Sequence, residues 1–117
     1  MGIFDRFKTP GVSGAQAREM VRDGAQLIDV RESSEWNAGH APQAAHIPSS
    51  QVESRLNRLK KDKEIVVVCR SGSRSRAVTK QLRAQGYEAF TLQGGLRSWQ
   101  AADGPVLDRK GRPGRIV

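Results

Sequence analysis

One segment of the chain combines a reactive side chain with groups that could bind an anion. It holds the only cysteine, Cys69, and continues as Arg70-Ser71-Gly72-Ser73-Arg74-Ser75. Guanidinium groups beside a cysteine favour its thiolate form, and so do backbone N–H groups at the start of a helix. Serine hydroxyls can donate hydrogen bonds to sulfur or to a bound anion, and a glycine permits the unusual backbone angles of a tight turn. The pattern therefore predicts that the pKa of Cys69 is lowered and that its sulfur is nucleophilic.

The same segment allows two other interpretations. A lone cysteine is often a small buried hydrophobic residue, and turns from a strand into a helix are often rich in serine and glycine without binding anything. A cysteine with an arginine at the end of the loop is also typical of phosphatases. The spacing alone leaves a structural cysteine, an anion-binding reactive cysteine and a phosphatase-like site open.

The other polar candidates are expected to have structural roles. His40 and His46 have no cysteine or carboxylate at a spacing that would complete a metal site, so we expect no metal and no cofactor. Asp29 and Arg31 flank the end of a predicted strand, and we expect them to satisfy the loop backbone or each other.

Charge and composition restrict the partners. The net charge of the 117 residues is +8, and residues 54–117 carry fifteen basic side chains against five acidic ones. Aromatic residues make up only 5% and are not interleaved with the basic ones, so we expect small anions and no nucleic acid, although charge alone leaves that alternative open. The longest apolar run, residues 65–69, is too short to span a membrane. A single cysteine without a recognisable secretory signal predicts a cytoplasmic protein.

Three apolar runs predict strands at residues 27–30, 65–68 and 89–92. The run at 65–68 is uninterrupted and β-branched, which predicts a central strand. The carboxyl ends of parallel strands are where ligands bind in such sheets, and Cys69 lies at one of them. Residues 31–48 show no sustained period and predict a long loop with one helical turn.

Helical patterns alternate with these strands. Capping boxes at Ser13 and Ser50 predict helices, the second running through residues 52–59. Two further helices are predicted over residues 75–85 and around Trp99, and both tryptophans are expected in the core. The alternation predicts an α/β fold with a mostly parallel sheet and helices on both faces.

Four groups of residues, in this order, resemble the motifs of the rhodanese superfamily. They are Leu27-Ile28-Asp29-Val30-Arg31-Glu32; then Glu35-Trp36, Gly39-His40-Ala41-Pro42 and Ile47-Pro48; then Cys69 to Ser75; and finally Gly86-Tyr87, Leu92, Gly94-Gly95, Trp99 and Pro105-Val106. The resemblance implies five strands and a domain over residues 12–107, after an N-terminal extension over 1–11. Residues 108–117 are basic and are expected to form a flexible, exposed tail.

The resemblance also implies a chemistry. The Cys69 thiolate would take the outer sulfur of thiosulfate or another sulfane donor, and a thiophilic acceptor (cyanide in an assay, a thiol or a protein in the cell) would remove it. Backbone amides of residues 70–75 would stabilise the persulfide, while Arg70 and Arg74 would hold the donor or brace the loop. His40 would serve a structural turn. The six residues from Cys69 to Arg74 match the family's sulfurtransferases, whereas related dual-specificity phosphatases have one more.

Two positions depart from the family pattern. Ala41 stands where the family usually has a larger aliphatic residue, and Gln43 stands where it usually has a glycine. A changed turn at Gln43 would alter the pocket wall or the docking surface of an acceptor, and so substrate choice more than fold; the alternative is a substitution without consequence. Four alternatives remain: a non-catalytic binding module, which the intact Cys69, Gly72 and Arg74 disfavour; a carrier that exchanges persulfide only with proteins; a small phosphatase or arsenate reductase, which the loop length disfavours; and nucleic-acid binding.

Overall fold

The computed structural model describes residues 10–117. Its strands are β1 (Gly11–Val12), β2 (Gln26–Asp29), β3 (Ala45–His46), β4 (Ile65–Val68) and β5 (Ala89–Leu92). Its helices are α1 (Gly14–Arg22), α2 (Ser33–Ala38), α3 (Ser73–Ala84) and α4 (Gly95–Ala101), with 3-10 segments at Ser49–Gln51 and Glu53–Arg58. Within this part of the chain the five strands form one sheet in the order β1-β5-β4-β2-β3, and every pair is parallel. The predicted α/β class and five-stranded sheet are confirmed.

The central position of β4 follows from its side chains, which are apolar on both faces. All four of its residues are buried, as a strand covered on both sides requires. The register pairs Val68 with Asp29 of β2 and Val67 with Thr91 of β5. The carboxyl ends of β2, β4 and β5 therefore meet at one edge of the sheet, directly before Cys69.

Helices cover both faces of the sheet, as predicted. On one face, Ala17 of α1 and Leu96 of α4 pack together with Trp99, which is only 1% exposed. On the other face, Val78 and Leu82 of α3 pack over a second apolar cluster, which the 3-10 segments complete. The sheet thus holds the start of α3, and with it the cysteine loop, between two packed layers.

The two predicted capping boxes have different outcomes. At α1 the Ser13 hydroxyl accepts a hydrogen bond from the Gln16 amide at 3.1 Å, and the Gln16 side chain accepts one in return from the Ser13 amide at 2.8 Å. The helix predicted after Ser50 is wrong, because the chain forms 3-10 turns interrupted at Arg55, where the backbone is non-helical. There the carboxylate of Glu53 accepts hydrogen bonds from the side chains of Gln81 in α3 and of Gln85 directly after it, and caps no helix.

The segment between β2 and β4 is more ordered than its sequence predicts. It contains the six-residue helix α2 and the edge strand β3, which has only two residues and so leaves no periodic signal. Trp36 was expected in the core but is half-buried, and it stacks on the imidazoles of His40 and His46 at ring-centroid distances of 3.6 and 4.8 Å.

The C-terminal residues 108–117 do not form the predicted free tail. The Gly114 amide donates to the Val106 carbonyl at 2.9 Å, and the Arg115 amide donates to the carbonyl of Ala38, at the end of α2, also at 2.9 Å. The cause is local, since the Asp108 carboxylate accepts hydrogen bonds from two following backbone amides and turns the chain back. Most side chains of this segment are nevertheless exposed.

The predicted N-terminal extension is described only at its end, since residues 1–9 lie outside the described residues. The Pro10 carbonyl accepts a hydrogen bond from the Thr91 amide at 2.9 Å, and Gly11 begins β1. The sheet therefore starts just before the predicted domain boundary. No helix within residues 10–117 is long and apolar enough to cross a membrane.

Candidate active site

Cys69 follows β4 directly, and the turn between β5 and α4 holds its backbone. The Leu96 amide donates a hydrogen bond to the Cys69 carbonyl at 2.8 Å. Gly95 lies so close that a Cβ there would overlap the Arg70 carbonyl, and its φ of +66° also favours glycine. The last motif that carried the family resemblance thus positions the first residue of the loop.

The loop from Cys69 to Ser75 folds over the sulfur. Gly72 has a φ of +113°, a left-handed conformation that directs its N–H at the Cys69 Sγ, 3.0 Å away. The Ser75 hydroxyl lies 3.5 Å from the same sulfur. The Cys69 side chain is fully buried, while Ser71 and Ser73 above it are exposed.

Opposing effects act on the pKa of Cys69. Burial raises it by disfavouring the charged thiolate, whereas the Ser75 hydroxyl and the backbone amides of Ser75, Gly72 and Ser71 lower it through hydrogen bonds. The lowering effects prevail, so the pKa of Cys69 lies below its usual value, in the predicted direction. Hydrogen-bond donors converging on one sulfur can stabilise a thiolate and equally a negatively charged persulfide.

The two arginines of the loop differ in their contacts. Arg74 forms a two-pronged ion pair with Glu35 of α2, with N–O distances of 2.6 and 2.9 Å. This pairing holds the pKa of Glu35 at about 2, chiefly through the hydrogen bond from Arg74. Arg70 is exposed and forms no side-chain hydrogen bond within the described residues. The geometry therefore favours Arg74 as the brace of the loop and leaves Arg70 available to an anion.

Asp29 and Arg31 contact each other at the neighbouring strand end. Both side chains are fully buried, and the guanidinium donates to the carboxylate with a shortest N–O distance of 2.8 Å. Arg31 also donates to the Gly39 carbonyl at 2.6 Å, which ties β2 to the turn before His40. His40 Nδ1 contacts the Trp36 carbonyl at 2.7 Å, and no hydrogen bond within residues 10–117 links His40 to the cysteine loop.

The sequence did not reveal three contacts of the site. Thr91 of β5 lies 2.5 Å, oxygen to oxygen, from the Ser75 hydroxyl, Glu35 pairs with Arg74, and Gly95 supports the loop backbone. Glu35 and Gly95 belong to motifs of the resemblance, but nothing in their local pattern specified a partner. Thr91 reaches the site only because β5 lies next to β4, and the amino-acid sequence alone does not give this strand order.

Comparison with known proteins agrees with this geometry. The family model of the rhodanese-like domain matches residues 13–102. The protein YtwF of Bacillus subtilis (strain 168) is 38% identical over 96 residues, which cover 80% of this chain and 93% of that protein. The thiosulfate sulfurtransferase GlpE of Pseudomonas savastanoi pv. phaseolicola is 30% identical over 87 residues, which cover 74% and 82% of the two chains.

A solved structure agrees as well. The rhodanese-related protein of Thermoplasma volcanium superimposes with a TM-score of 0.76 at 28% identity, covering 84% of this chain and 97% of that one. The parallel sheet, the loop at the carboxyl end of its central strand and the matched residues lead to one conclusion. The chain belongs to the rhodanese-like domain family.

Proposed function

We propose that this protein is a sulfurtransferase that carries sulfur as a persulfide on Cys69. One observation carries the proposal: the Gly72 amide, at 3.0 Å, and the Ser75 hydroxyl, at 3.5 Å, converge on a single buried sulfur. An activated thiolate of this kind is suited to covalent catalysis without a dedicated general base. The name of the sulfurtransferase relative supports the same activity.

The reaction has two displacement steps. The Cys69 thiolate attacks the outer sulfur of thiosulfate, a sulfur–sulfur bond forms, and sulfite leaves with the electron pair of the broken bond. A thiophilic acceptor, which is cyanide in an assay and a thiol or protein thiol in the cell, then attacks the outer persulfide sulfur. The acceptor keeps that sulfur, and the Cys69 thiolate returns with its electron pair.

The loop residues divide these tasks. Backbone amides within residues 70–75 hold the negative charge of the thiolate and of the persulfide, since Gly72 already donates to the sulfur at 3.0 Å. Arg70 attracts the anionic donor, because its guanidinium is exposed at the loop. Arg74 keeps the loop in place through Glu35. Asp29, Arg31 and His40 support the adjoining turns.

Thiocyanate formation from thiosulfate and cyanide tests this proposal. We expect turnover by the wild-type protein and none by Cys69→Ser. Arg70→Ala is expected to raise the KM for thiosulfate and to leave kcat within about twofold, because only binding of the anion is weakened. Hydrolysis of an aryl phosphate without thiocyanate formation would instead establish a phosphatase. Absence of both activities, with a thiol that resists alkylation at neutral pH, would favour a binding module.

A further inference from the structure

Three side chains, linked one to the next by hydrogen bonds, connect the reactive sulfur with β5. Cys69 Sγ lies 3.5 Å from Ser75 Oγ, and Ser75 Oγ lies 2.5 Å from Thr91 Oγ1. Ser75 is fully buried and Thr91 is only 3% exposed. Bulk water therefore has little access to either hydroxyl, and each proton needs an acceptor within the protein.

The direction of the hydrogen bond between the two hydroxyls follows from their partners. Within residues 10–117, Ser75 Oγ is the sole hydrogen-bond partner of the Thr91 side chain. Ser75 has a second acceptor at 2.9 Å, the carbonyl of Gly72. If Ser75 donated to Thr91, the Thr91 proton would have no acceptor in this part of the chain, which is unfavourable for a buried hydroxyl. Thr91 is therefore the donor and Ser75 the acceptor.

This direction decides what the Ser75 proton can do. The Cys69 thiol donates to Ser75 Oγ at 3.5 Å, and Ser75 donates to the Gly72 carbonyl; once the thiol has lost its proton, Ser75 can donate to Cys69 Sγ instead. When Cys69 loses its proton to the buffer, the thiolate is the stronger acceptor, because hydrogen bonds to charged acceptors are stronger than those to neutral ones. We propose that Thr91 is a positioning residue, which donates to Ser75 and keeps the Ser75 hydroxyl available as a donor to the thiolate or persulfide of Cys69.

The charged groups near the loop do not take over the role of the hydrogen bond from Thr91 to Ser75. Arg74 is partly neutralised by Glu35, and Arg31 is paired with Asp29, so two of the nearby guanidinium groups are already engaged. Charged groups face the loop from its own residues and from the neighbouring elements β2, α2 and α3, namely Asp29, Arg31, Glu35, Arg70, Arg74 and Arg76. Substitution of Thr91 leaves all of these charges unchanged, so any shift in thiol ionisation reports the hydroxyl chain.

The test is the pH dependence of alkylation by iodoacetamide. We expect Thr91→Val to move the profile to higher pH and to slow alkylation roughly three- to tenfold below the pKa, because Ser75 loses the hydrogen bond from Thr91 that orients its hydroxyl, and one neutral hydrogen bond has about this worth. Thr91→Ser keeps the hydroxyl and is expected to retain the wild-type profile. If the valine variant does not fold, Thr91→Ala removes the hydroxyl without adding a methyl group.

The chain offers a matched control for this substitution. Thr79 of α3 is fully buried, and its hydroxyl has no hydrogen-bond partner within the described residues. Thr79→Val should therefore leave the profile unchanged. Coincident profiles for Thr91→Val and wild type would overturn the inference, and so would an equal shift in Thr79→Val or a serine variant that behaves like valine.

The inference rests on the proposed function only for its consequence in sulfur transfer. Alkylation measures thiol ionisation whether or not the protein accepts sulfur from thiosulfate, whereas thiocyanate formation measures the function itself. If Thr91→Val shifts the alkylation profile but the wild type forms no thiocyanate, the positioning role of Thr91 stands and the proposed function is refuted. If the wild type forms thiocyanate but Thr91→Val leaves the profile unshifted, the function stands and the inference about Thr91 is refuted.

Discussion

At the scale of single residues, the site depends on backbone amides that the loop conformation directs at the sulfur. Gly72 supplies one of them, with its nitrogen 3.0 Å from Cys69 Sγ, and it does so at a φ of +113° that other residues rarely adopt. The sequence predicts that the arginine charges lower the pKa of Cys69. Burial raises this pKa, and the effects that lower it are chiefly hydrogen bonds from Ser75, Gly72 and Ser71. A substitution at Gly72 should therefore affect reactivity as well as stability.

We predict that Gly72→Ala lowers the free energy of unfolding by about 1–2 kcal/mol, the typical cost of forcing a side chain into the left-handed region. It should also slow thiosulfate turnover at least about tenfold, because one hydrogen bond to the developing charge is disturbed. Urea denaturation and thiocyanate formation measure the two effects.

Gly24 provides the matched control for this strain. Its φ is +107°, and a Cβ there would meet open space. Gly24→Ala should destabilise the protein by a similar amount and leave turnover unchanged. If both variants lose turnover in proportion to stability, the Gly72 amide has no special role.

At the scale of elements, α2 and α3 are linked across 39 residues of sequence by the pair of Glu35 and Arg74. The pair is partly exposed, with 18% of the Glu35 side chain and 35% of the Arg74 side chain accessible. Its contribution to stability is therefore nearer to that of a surface ion pair than to that of a buried one. Its two-pronged geometry is what fixes the direction in which the loop is held.

We predict that Glu35→Gln lowers the free energy of unfolding by about 1 kcal/mol at neutral pH. The pKa of Glu35 is lowered from 4.5 to about 2, so its stabilisation is complete above pH 4.5 and is lost progressively as the pH falls towards 2. The difference between variant and wild type in urea denaturation should therefore shrink over that interval. Glu19→Gln, which removes an exposed pair with Arg22 at 3.6 Å, should have a smaller effect. A difference that stays constant through this range would contradict the pairing.

The predictability of the elements depended on how local their causes are. β4 was predicted because four β-branched or aliphatic residues in a row specify a buried strand, and α1 because Ser13 and Gln16 satisfy each other. Two-residue edge strands leave no such pattern, because their hydrogen bonds come from neighbours distant in sequence. The helix predicted after Ser50 failed for the opposite reason, since the local capping pattern was present but Glu53 binds the side chains of Gln81 and Gln85 at the end of α3 instead.

The site itself was predicted in part for the same reason. Cys69 and its loop form one continuous segment, so their position at the end of a central strand could be derived. The contacts of Thr91 with Ser75 and of Glu35 with Arg74 depend on how the sheet and α2 pack, and no spacing encodes them. The hydrogen bonds of residues 108–117 were not predicted, because the polar composition of this segment was taken to indicate a flexible tail. The turn that the Asp108 carboxylate forms with the following amides was not recognised in the sequence.

At the scale of the whole molecule, the segment that carries the reactive sulfur is rich in positive charge. No acidic residue occurs from Ile65 to Tyr87, whereas five basic ones do, and Arg76 and Lys80 are exposed on α3. Such a field raises the local concentration of small anions and weakens with salt. The uneven charge of the chain thus has a direct consequence for an anionic sulfur donor.

We predict that joint substitution of Arg76→Glu and Lys80→Glu lowers kcat/KM for thiosulfate roughly three- to tenfold at low salt, with the difference shrinking at high salt. Alkylation by neutral iodoacetamide at a pH above the pKa of Cys69 should not change, because the reagent is uncharged and the thiol is then already ionised. Arg109→Glu with Lys110→Glu makes the same change of net charge in the C-terminal segment and should have less effect. Equal losses in both double variants would show that net charge acts without regard to position.

The most direct test of the central claim is the intact mass of the protein after incubation with thiosulfate, compared with Cys69→Ser and followed by cyanide. The account predicts a gain of one sulfur atom in the wild type, no gain in the variant, and return to the original mass with cyanide. An unchanged wild-type mass, or a sulfur gained by the Cys69→Ser variant, would contradict the claim that this loop makes Cys69 a sulfur carrier.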